Sequence, residues 1–336
     1  MTRLEALRSF LAKRGPAELL RLAARKTRAE RVHAAPAAQG VNLALQGGGA
    51  LGAFTWGVLD RLNEEALWRV RAISGTSAGA LNAAVYVTGL ARAGRDGASQ
   101  ALKAFWSDVS HAATFAHFLA TPRAVWPMAL SGNPLEEILA RHVDIAALRS
   151  PRAPRLFLAA THVASATARI FTNEDVSLPA LLASACIPTL HPTVIIDGEA
   201  YWDGGFSANP PLQPLMDTGA ERTVLVRLIR SASDTLPRDA AQIDARIKML
   251  LFARPLEDEL ARLAAGPYRD HALDEIDATE HTSSARFTSA PTPRLVHELF
   301  EKGREAASDY FAAQRRLPHE ADTPVSALAG PSRTVA

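Results

Sequence analysis

The chain has 336 residues, 48% of them hydrophobic and 21% charged, and a net charge of +2. This length can bury a sizeable core, and the near-neutral charge gives no general basis for binding nucleic acid. The single cysteine excludes an internal disulfide and any cysteine-based metal cluster, and Cys186, in the apolar stretch ASACIP, reads as a small core residue.

Residues 1–38 form a zone of their own. Leu4, Leu7, Phe10, Leu11, Leu19, Leu20 and Leu22 alternate with Arg3, Arg8, Lys13, Arg14, Arg21, Arg25 and Lys26, and Gly15-Pro16 divides the zone into two short amphipathic helices. This basic arm suits either a solvated or partner-packed role or transient contact with an anionic membrane surface. Ala34–Ala38 reads as a linker. A domain over 39–316 follows. Val41–Gln46 predicts a strand, Gly47–Gly52 (GGGALG) a tight loop, and Phe54, Val58 and Leu62 a helix. Val70–Ser74 predicts a buried strand, which runs into Gly75–Gly79 (GTSAG) and a further helix. Two strand–loop–helix units in succession imply a parallel sheet with right-handed crossovers.

Residues 95–150 predict an outer helical layer carrying Trp106, Phe115, Phe118 and Trp126, broken near Pro122, Pro127 and Pro134, with the capacity to cap a site. Strands are expected at Leu156–Thr161 and Ala168–Phe171, and a helix over Ser177–Ala185. A hairpin follows around Asp197-Gly198, and its second strand, Glu199–Trp202, runs into Asp203-Gly204-Gly205. A short helix starts at Asn209-Pro210-Pro211. Thr223–Leu228 predicts a core strand, 240–265 a helix interrupted at Pro255, and 294–316 an amphipathic helix. Residues 317–336 read as a disordered tail. No stretch is long and apolar enough to span a membrane, and no secretory signal opens the chain, so a cytoplasmic location is expected, with peripheral membrane contact through the arm.

Three glycine-rich strand ends carry the chemistry. G-x-S-x-G between a strand and a helix is the setting of a nucleophilic serine: the sharp turn lifts the hydroxyl of Ser77 from the sheet edge and leaves room only for small neighbours, Gly75 and Gly79. The bland alternative is a helix N-cap. Gly47, Gly49 and Gly52 also satisfy the G-x-G-x-x-G dinucleotide fingerprint. That fingerprint needs an acid at the end of the next strand, and here that strand ends in the serine turn, so the nucleotide reading is demoted. The same glycines suit an oxyanion hole, with backbone N–H groups around Gly48, Gly49 and Ala50 turned toward one point. A base for Ser77 is sought among His162, His191, His271, His281 and His297, or in Asp203, which ends a strand beside two glycines.

Together GGGALG, GTSAG and DGG, with the stretch Ala183–Leu212 around the aspartate, resemble the patatin-like phospholipase family over residues 40–230. The resemblance implies a three-layer α/β/α sandwich with a mostly parallel central sheet. It implies hydrolysis of acyl esters in lipids by a Ser–Asp dyad, with Ser77 as nucleophile and Asp203 as base. The oxyanion hole would be Gly47, Gly48, Gly49 and Ala50, supported by Gly52, Gly75, Gly79, Gly204 and Gly205. It implies no metal, no cofactor, no nucleic-acid partner, and a lipid or acyl-ester substrate. Leu51 stands where many members carry Arg or Lys, which removes a charge contact but not the backbone donors. A polyester depolymerase or thioesterase using the same site, and a silent lipid-binding protein, are the alternatives.

Overall fold

A computed structural model describes residues 39–65, 68–119, 134–232, 236–280, 282, 289–316 and 323–328. The basic arm, Pro122, Trp126, Pro127 and His281 lie outside the described residues, as do the side chains of Phe115 and Phe118.

The sheet grows outward from β1 (Gln39–Leu45), which pairs in parallel with β2 (Trp68–Thr76) on one side and with β7 (Arg222–Arg227) on the other. β3 (Arg155–His162) extends the sheet in parallel beyond β2, and β8 (Ala272–Asp277) does so beyond β7. Three antiparallel strands complete it: β4 (Thr167–Phe171) and β6 (Glu199–Asp203) on β3, and β5 (Val194–Ile196) on β6. The order is β5-β6-β3-β2-β1-β7-β8, with β4 beside β3. The mostly parallel α/β architecture expected from the two successive strand–loop–helix units is present.

Alternation along the central strands explains the three layers. Leu43, Leu45, Ile73, Leu156, Leu158, Val224 and Val226 enter one core. There they meet α1 (Gly52–Asn63), the first part of α2 (Ala78–Leu119), α5 (Leu178–Ser184) and α8 (Pro293–Arg316). Ala44, Ala72, Phe157, Leu225 and Leu273 point the other way. They meet α6 (Gln213–Met216), the second half of α7 (Ala240–Ala265) and Val325 of α9 (Val325–Leu328). α3 (Pro134–His142) and α4 (Ile145–Leu148) close the outer layer against α2. α2 changes direction at Ala93–Gly94, where Gly94 adopts φ +62°. Trp106 is buried and donates its indole N–H to Asn82 Oδ1 at 3.0 Å, so it is a core residue rather than part of a cap.

Several elements differ from expectation for identifiable reasons. β8 is a strand although its sequence, ALDEID, is acidic. Its carboxylates face arginines of β7 and the segment that follows it: Asp274 pairs with Arg222, Glu275 with the buried Arg227, and Asp277 with Arg230. Helix α7 runs through Pro255 because buried residues on both sides of it, from Met249 and Phe252 to Leu256 and Leu260, hold the two halves against the body. The helix expected at Asn209 starts at Gln213, because Asn209–Leu212 form an irregular connection. Within the expected disordered tail, Thr323–Leu328 pack on β8: Leu273 N–H donates to Thr323 O at 2.9 Å and Val325 is buried.

α1 and α8 cross closely enough to exclude side chains at two glycines. A Cβ on Gly57 would lie 2.1 Å from Phe300 O, and one on Gly303 would lie 2.0 Å from Phe54 O. Trp56 and Phe300 pack beside the crossing with ring centroids 4.0 Å apart. Gly303→Ala gains up to about 1 kcal/mol of helix propensity. The enforced separation of the helices outweighs it, for a net loss of about 1–3 kcal/mol. The expected result is a lower denaturant midpoint with an unchanged slope.

Candidate active site

The register of β3 brings two strand ends together. β2 runs parallel to β3 and its last paired residue, Thr76, lies opposite Ala159. β6 runs antiparallel to β3, and its last residue, Asp203, lies opposite Ala160, the next position. Ser77 follows Thr76 directly, so the serine turn and the aspartate meet end to end over adjacent residues of one strand. Close backbone contact makes this possible: a Cβ on Gly204 would lie 2.2 Å from Ala159 O.

Ser77 has φ +53°. This left-handed conformation costs a non-glycine residue on the order of 1–3 kcal/mol and persists only where the surroundings hold it. Here they do. Ser77 N–H donates to the buried Ser184 Oγ at 3.0 Å, and Ser77 O accepts from Leu81 N–H at 3.1 Å as α2 begins. Gly79 lets α2 approach β1, since a Cβ there would lie 2.0 Å from Leu45 O. Gly75 is similarly pressed, with Gly79 backbone atoms 2.8 Å from a Cβ. Gly52 leaves room for Ala78 Cβ and the Trp106 ring. All the supporting glycines of GTSAG and GGGALG therefore have a steric reason to be glycine.

Asp203 is fully buried. Its Oδ1 accepts from Gly205 N–H at 2.8 Å, and its backbone is fixed by Asp203 N–H to Cys186 O at 2.8 Å and by Thr161 Oγ1 to Asp203 O at 2.8 Å. Gly205 is the required neighbour because a Cβ there would lie 2.2 Å from the Phe252 ring. Oδ2 has no hydrogen-bond partner. The Ser77 hydroxyl faces this carboxyl closely enough to favour its ionised form, without the geometry of a full hydrogen bond to Oδ2. Burial dominates and pushes the pKa up to about 7, against the lowering effects of Gly205 N–H and the Ser77 hydroxyl.

The glycine loop lies against the serine. A Cβ on Gly47 would sit 2.8 Å from both Ser77 Cβ and Thr76 O. Gly47 N–H, however, donates to Asn209 Oδ1 at 2.7 Å, which withdraws it from the expected set of oxyanion donors. Among the described residues the N–H groups of Gly48, Gly49 and Ala50 form no hydrogen bond to another segment. Gly49 adopts φ +56° and opens a short 3-10 turn, Gly49–Leu51, at the exposed crest of the loop. Gln46 holds the approach to the loop, its Oε1 accepting from Leu228 N–H at 2.7 Å and Ile229 N–H at 2.9 Å.

Of the described candidate histidines, two are engaged in other hydrogen bonds. His162 bonds Glu199 Oε2 at 2.8 Å on the exposed sheet edge, and His271 lies 3.0 Å from Thr223 Oγ1 at the start of β7, the end of the sheet away from Ser77. His297 is exposed on α8. His191 is partly buried, which lowers its pKa. Among the described residues no histidine bonds Ser77, and no group of three or more His, Cys, Asp or Glu is placed to hold a metal ion.

A family model described as patatin-like phospholipase matches residues 43–216, which is more than half of the chain and spans all three glycine-rich strand ends. The chain belongs to the patatin-like phospholipase family. Membership makes it a lipid hydrolase at the level of the family. No curated protein matches the chain significantly. Among solved structures, VipD from Legionella pneumophila is 14% identical with a TM-score of 0.45, over 83% of this chain and 67% of that one. The type III effector ExoU is 16% identical with a TM-score of 0.39, over 84% of this chain and 54% of that one. ExoU in its heterodimer with SpcU, from the type III secretion system of Pseudomonas aeruginosa, is 13% identical with a TM-score of 0.33. The patatin-like chain thus spans about half the length of ExoU (54%). No helix among the described residues is long and apolar enough to cross a membrane.

Three polar residues of this patatin-like site were not singled out from the sequence. Ser184 and Thr161 hold the serine turn and the aspartate, and Asn209 clamps the glycine loop through Gly47 while donating to Phe252 O at 2.8 Å. The connection after Asp203 is anchored in turn by the buried Glu259, whose Oε1 accepts from Leu212 and Gln213 N–H, both at 2.8 Å. The only available signal was Asn209-Pro210-Pro211, which reads equally as a turn.

Because the folded protein holds the Asp203 proton more tightly than the usual 3.8, stability conferred by the neutral carboxyl is lost as pH rises toward about 7. Asp203→Asn removes that loss. Its thermal midpoint relative to wild type should climb from pH 4 to pH 8, measured by scanning calorimetry.

Proposed function

We propose that this chain hydrolyses the carboxylic-ester bonds of phospholipids or related long-chain acyl esters through Ser77 and Asp203. The observation that carries the reading is the end-to-end meeting of a left-handed Ser77 with a buried Asp203 whose pKa is raised to about 7. A nucleophile needs a base in reach, and a base titrating near neutral pH can both take and return a proton.

Ser77 Oγ attacks the ester carbonyl carbon while its proton passes to Asp203 Oδ2. The carbonyl oxygen becomes an oxyanion facing the N–H groups of Gly48, Gly49 and Ala50. Collapse breaks the ester C–O bond, the departing alkoxide takes the proton from Asp203, and an acyl-Ser77 ester remains. Water attacks that ester, giving its proton to Asp203. Ser77 Oγ leaves and recovers the proton, releasing the fatty acid. Ser184 holds the nucleophile's backbone, and Asn209 fixes the donor loop so that its N–H groups are oriented before substrate arrives. The substrate requires nothing from Leu51, whose side chain is buried.

A fluorophosphonate probe should label wild type on Ser77 and leave Ser77→Ala unlabelled, read by peptide mass spectrometry. An unlabelled wild type, under conditions that label a known serine esterase, would show the site to be silent. Asp203→Asn should lower kcat by about 10²–10⁴-fold on a lipid ester. With Asp203 required as a carboxylate, kcat/KM should rise with pH through an apparent pKa of about 7. A flat profile, or an equal loss in His191→Ala, would assign the base elsewhere.

A further inference from the structure

The outer face of α7 carries an exposed apolar stripe. Among the described residues, Leu236, Ile243, Ile247, Leu250 and Leu251 are five of the seven exposed large hydrophobic residues, the other two being Leu190 and Ile195. At about 100° per residue the four helical positions fall within an arc of about 100°. Ile247 is 52% exposed and Leu251 49%. The opposite face of the same turns buries Met249, Phe252, Ala253 and Leu256. The stripe is therefore in excess of what packing requires, and a run of such residues on one face marks an interaction surface.

Two observations identify what it meets. The first is charge. Between residues 236 and 262, the buried Glu259 aside, Arg238, Arg246, Lys248, Arg254 and Arg262 stand against Asp239, Asp244, Glu257 and Asp258, an excess of one positive charge. Arg246 and Lys248 fall on opposite flanks of the stripe; Arg246 is held to Ser231 O, whereas Lys248 is engaged only in an exposed pair with Asp244 at 2.7 Å, which is weak enough for its ammonium to exchange onto a phosphate while the apolar residues enter the acyl boundary. The second is continuity with the site. An open cleft of about 730 Å³ is lined by Ile247, Leu250 and Leu251 on the helix and by Phe206 and Ser207, which follow the Asp203-Gly204-Gly205 turn. Beneath the stripe, the Phe252 ring packs on Gly205 and lies 4.9 Å from the Phe206 ring, and its carbonyl holds Asn209. The helix that presents the stripe is thus seated on the loops around both Asp203 and Gly47.

We propose that the outer stripe of α7 docks the protein on an anionic lipid surface, so that the cleft beside Phe206 and Ser207 opens onto the lipid. This rests on the reading of Ser77 and Asp203 as a lipid-hydrolase site.

The test is co-sedimentation of the full chain with vesicles of phosphatidylcholine containing phosphatidylglycerol, in a Ser77→Ala background so that hydrolysis does not alter the vesicles. Adding Ile243→Glu and Ile247→Glu should lower the partition constant at least about tenfold, because two apolar anchors are replaced by charges that the anionic surface repels. Circular dichroism should show the helix content and thermal midpoint unchanged. Vesicles of phosphatidylcholine alone should bind the parent more weakly than the mixed vesicles. Equal binding of parent and double variant, or no binding by the parent, overturns the proposal. So does a parent that is dimeric by light scattering and becomes monomeric on substitution, which would make a second copy the occupant. If the parent binds and the double variant does not, while wild type hydrolyses no ester, the docking surface stands and the reading of the site falls.

Discussion

Thr76 and Asp203 sit opposite neighbouring residues of β3, and everything distinctive about the site depends on that register. A parallel strand arriving from one direction and an antiparallel strand arriving from the other stop against the same strand, one residue apart. Side chains following or ending those strands have no freedom to drift, because both backbones are hydrogen-bonded into one sheet. A slip of one residue in β6 would turn Asp203 to the opposite face and place Trp202 at the junction. The glycines on either side are what let the strand ends come this close.

Two unfavourable features are held at this junction. Ser77 has a backbone conformation that L-residues avoid, and Asp203 has a carboxyl removed from water with one oxygen unpartnered. Neither stabilises the fold. Both are kept in place by neighbours that do, namely the paired strands and the hydrogen bonds with Ser184, Thr161 and Cys186. Strain and desolvation concentrated where the rest of the structure is over-determined is how a reactive arrangement is retained.

Helix α7 joins the site to the surface. Its inner face supplies the Phe252 contacts that pack the aspartate turn and steady Asn209, and its outer face leaves isoleucine and leucine in water. The ordinary distribution for a surface helix is one apolar stripe facing the core. Here there are two, on opposite sides of the same turns, and only one is needed for folding.

The motifs were legible without a structure because each is local. GGGALG, GTSAG and DGG are contiguous runs, each with a steric rule that can be read from neighbouring residues, and strand–loop–helix order dictates a parallel sheet. From these the fold class follows, along with the expectation that Ser77, Asp203 and the glycine loop form the site. The parts that were missed depend on partners far along the chain. β8 exists because its carboxylates meet arginines about one helix and one turn earlier in sequence, a pairing that overrides poor strand propensity. Ser184 reaches Ser77 across 107 residues and Asn209 reaches Gly47 across 162. That last bond also engages the Gly47 N–H, which the sequence leaves open as a donor. Sequence by itself determined the family, the fold class and which turns must be built from small residues, because backbone sterics at a tight turn are local. The tertiary structure alone decided how they are held, which donor is withdrawn and what covers the aspartate, because burial and hydrogen-bond partnership are properties of residues brought together only by folding.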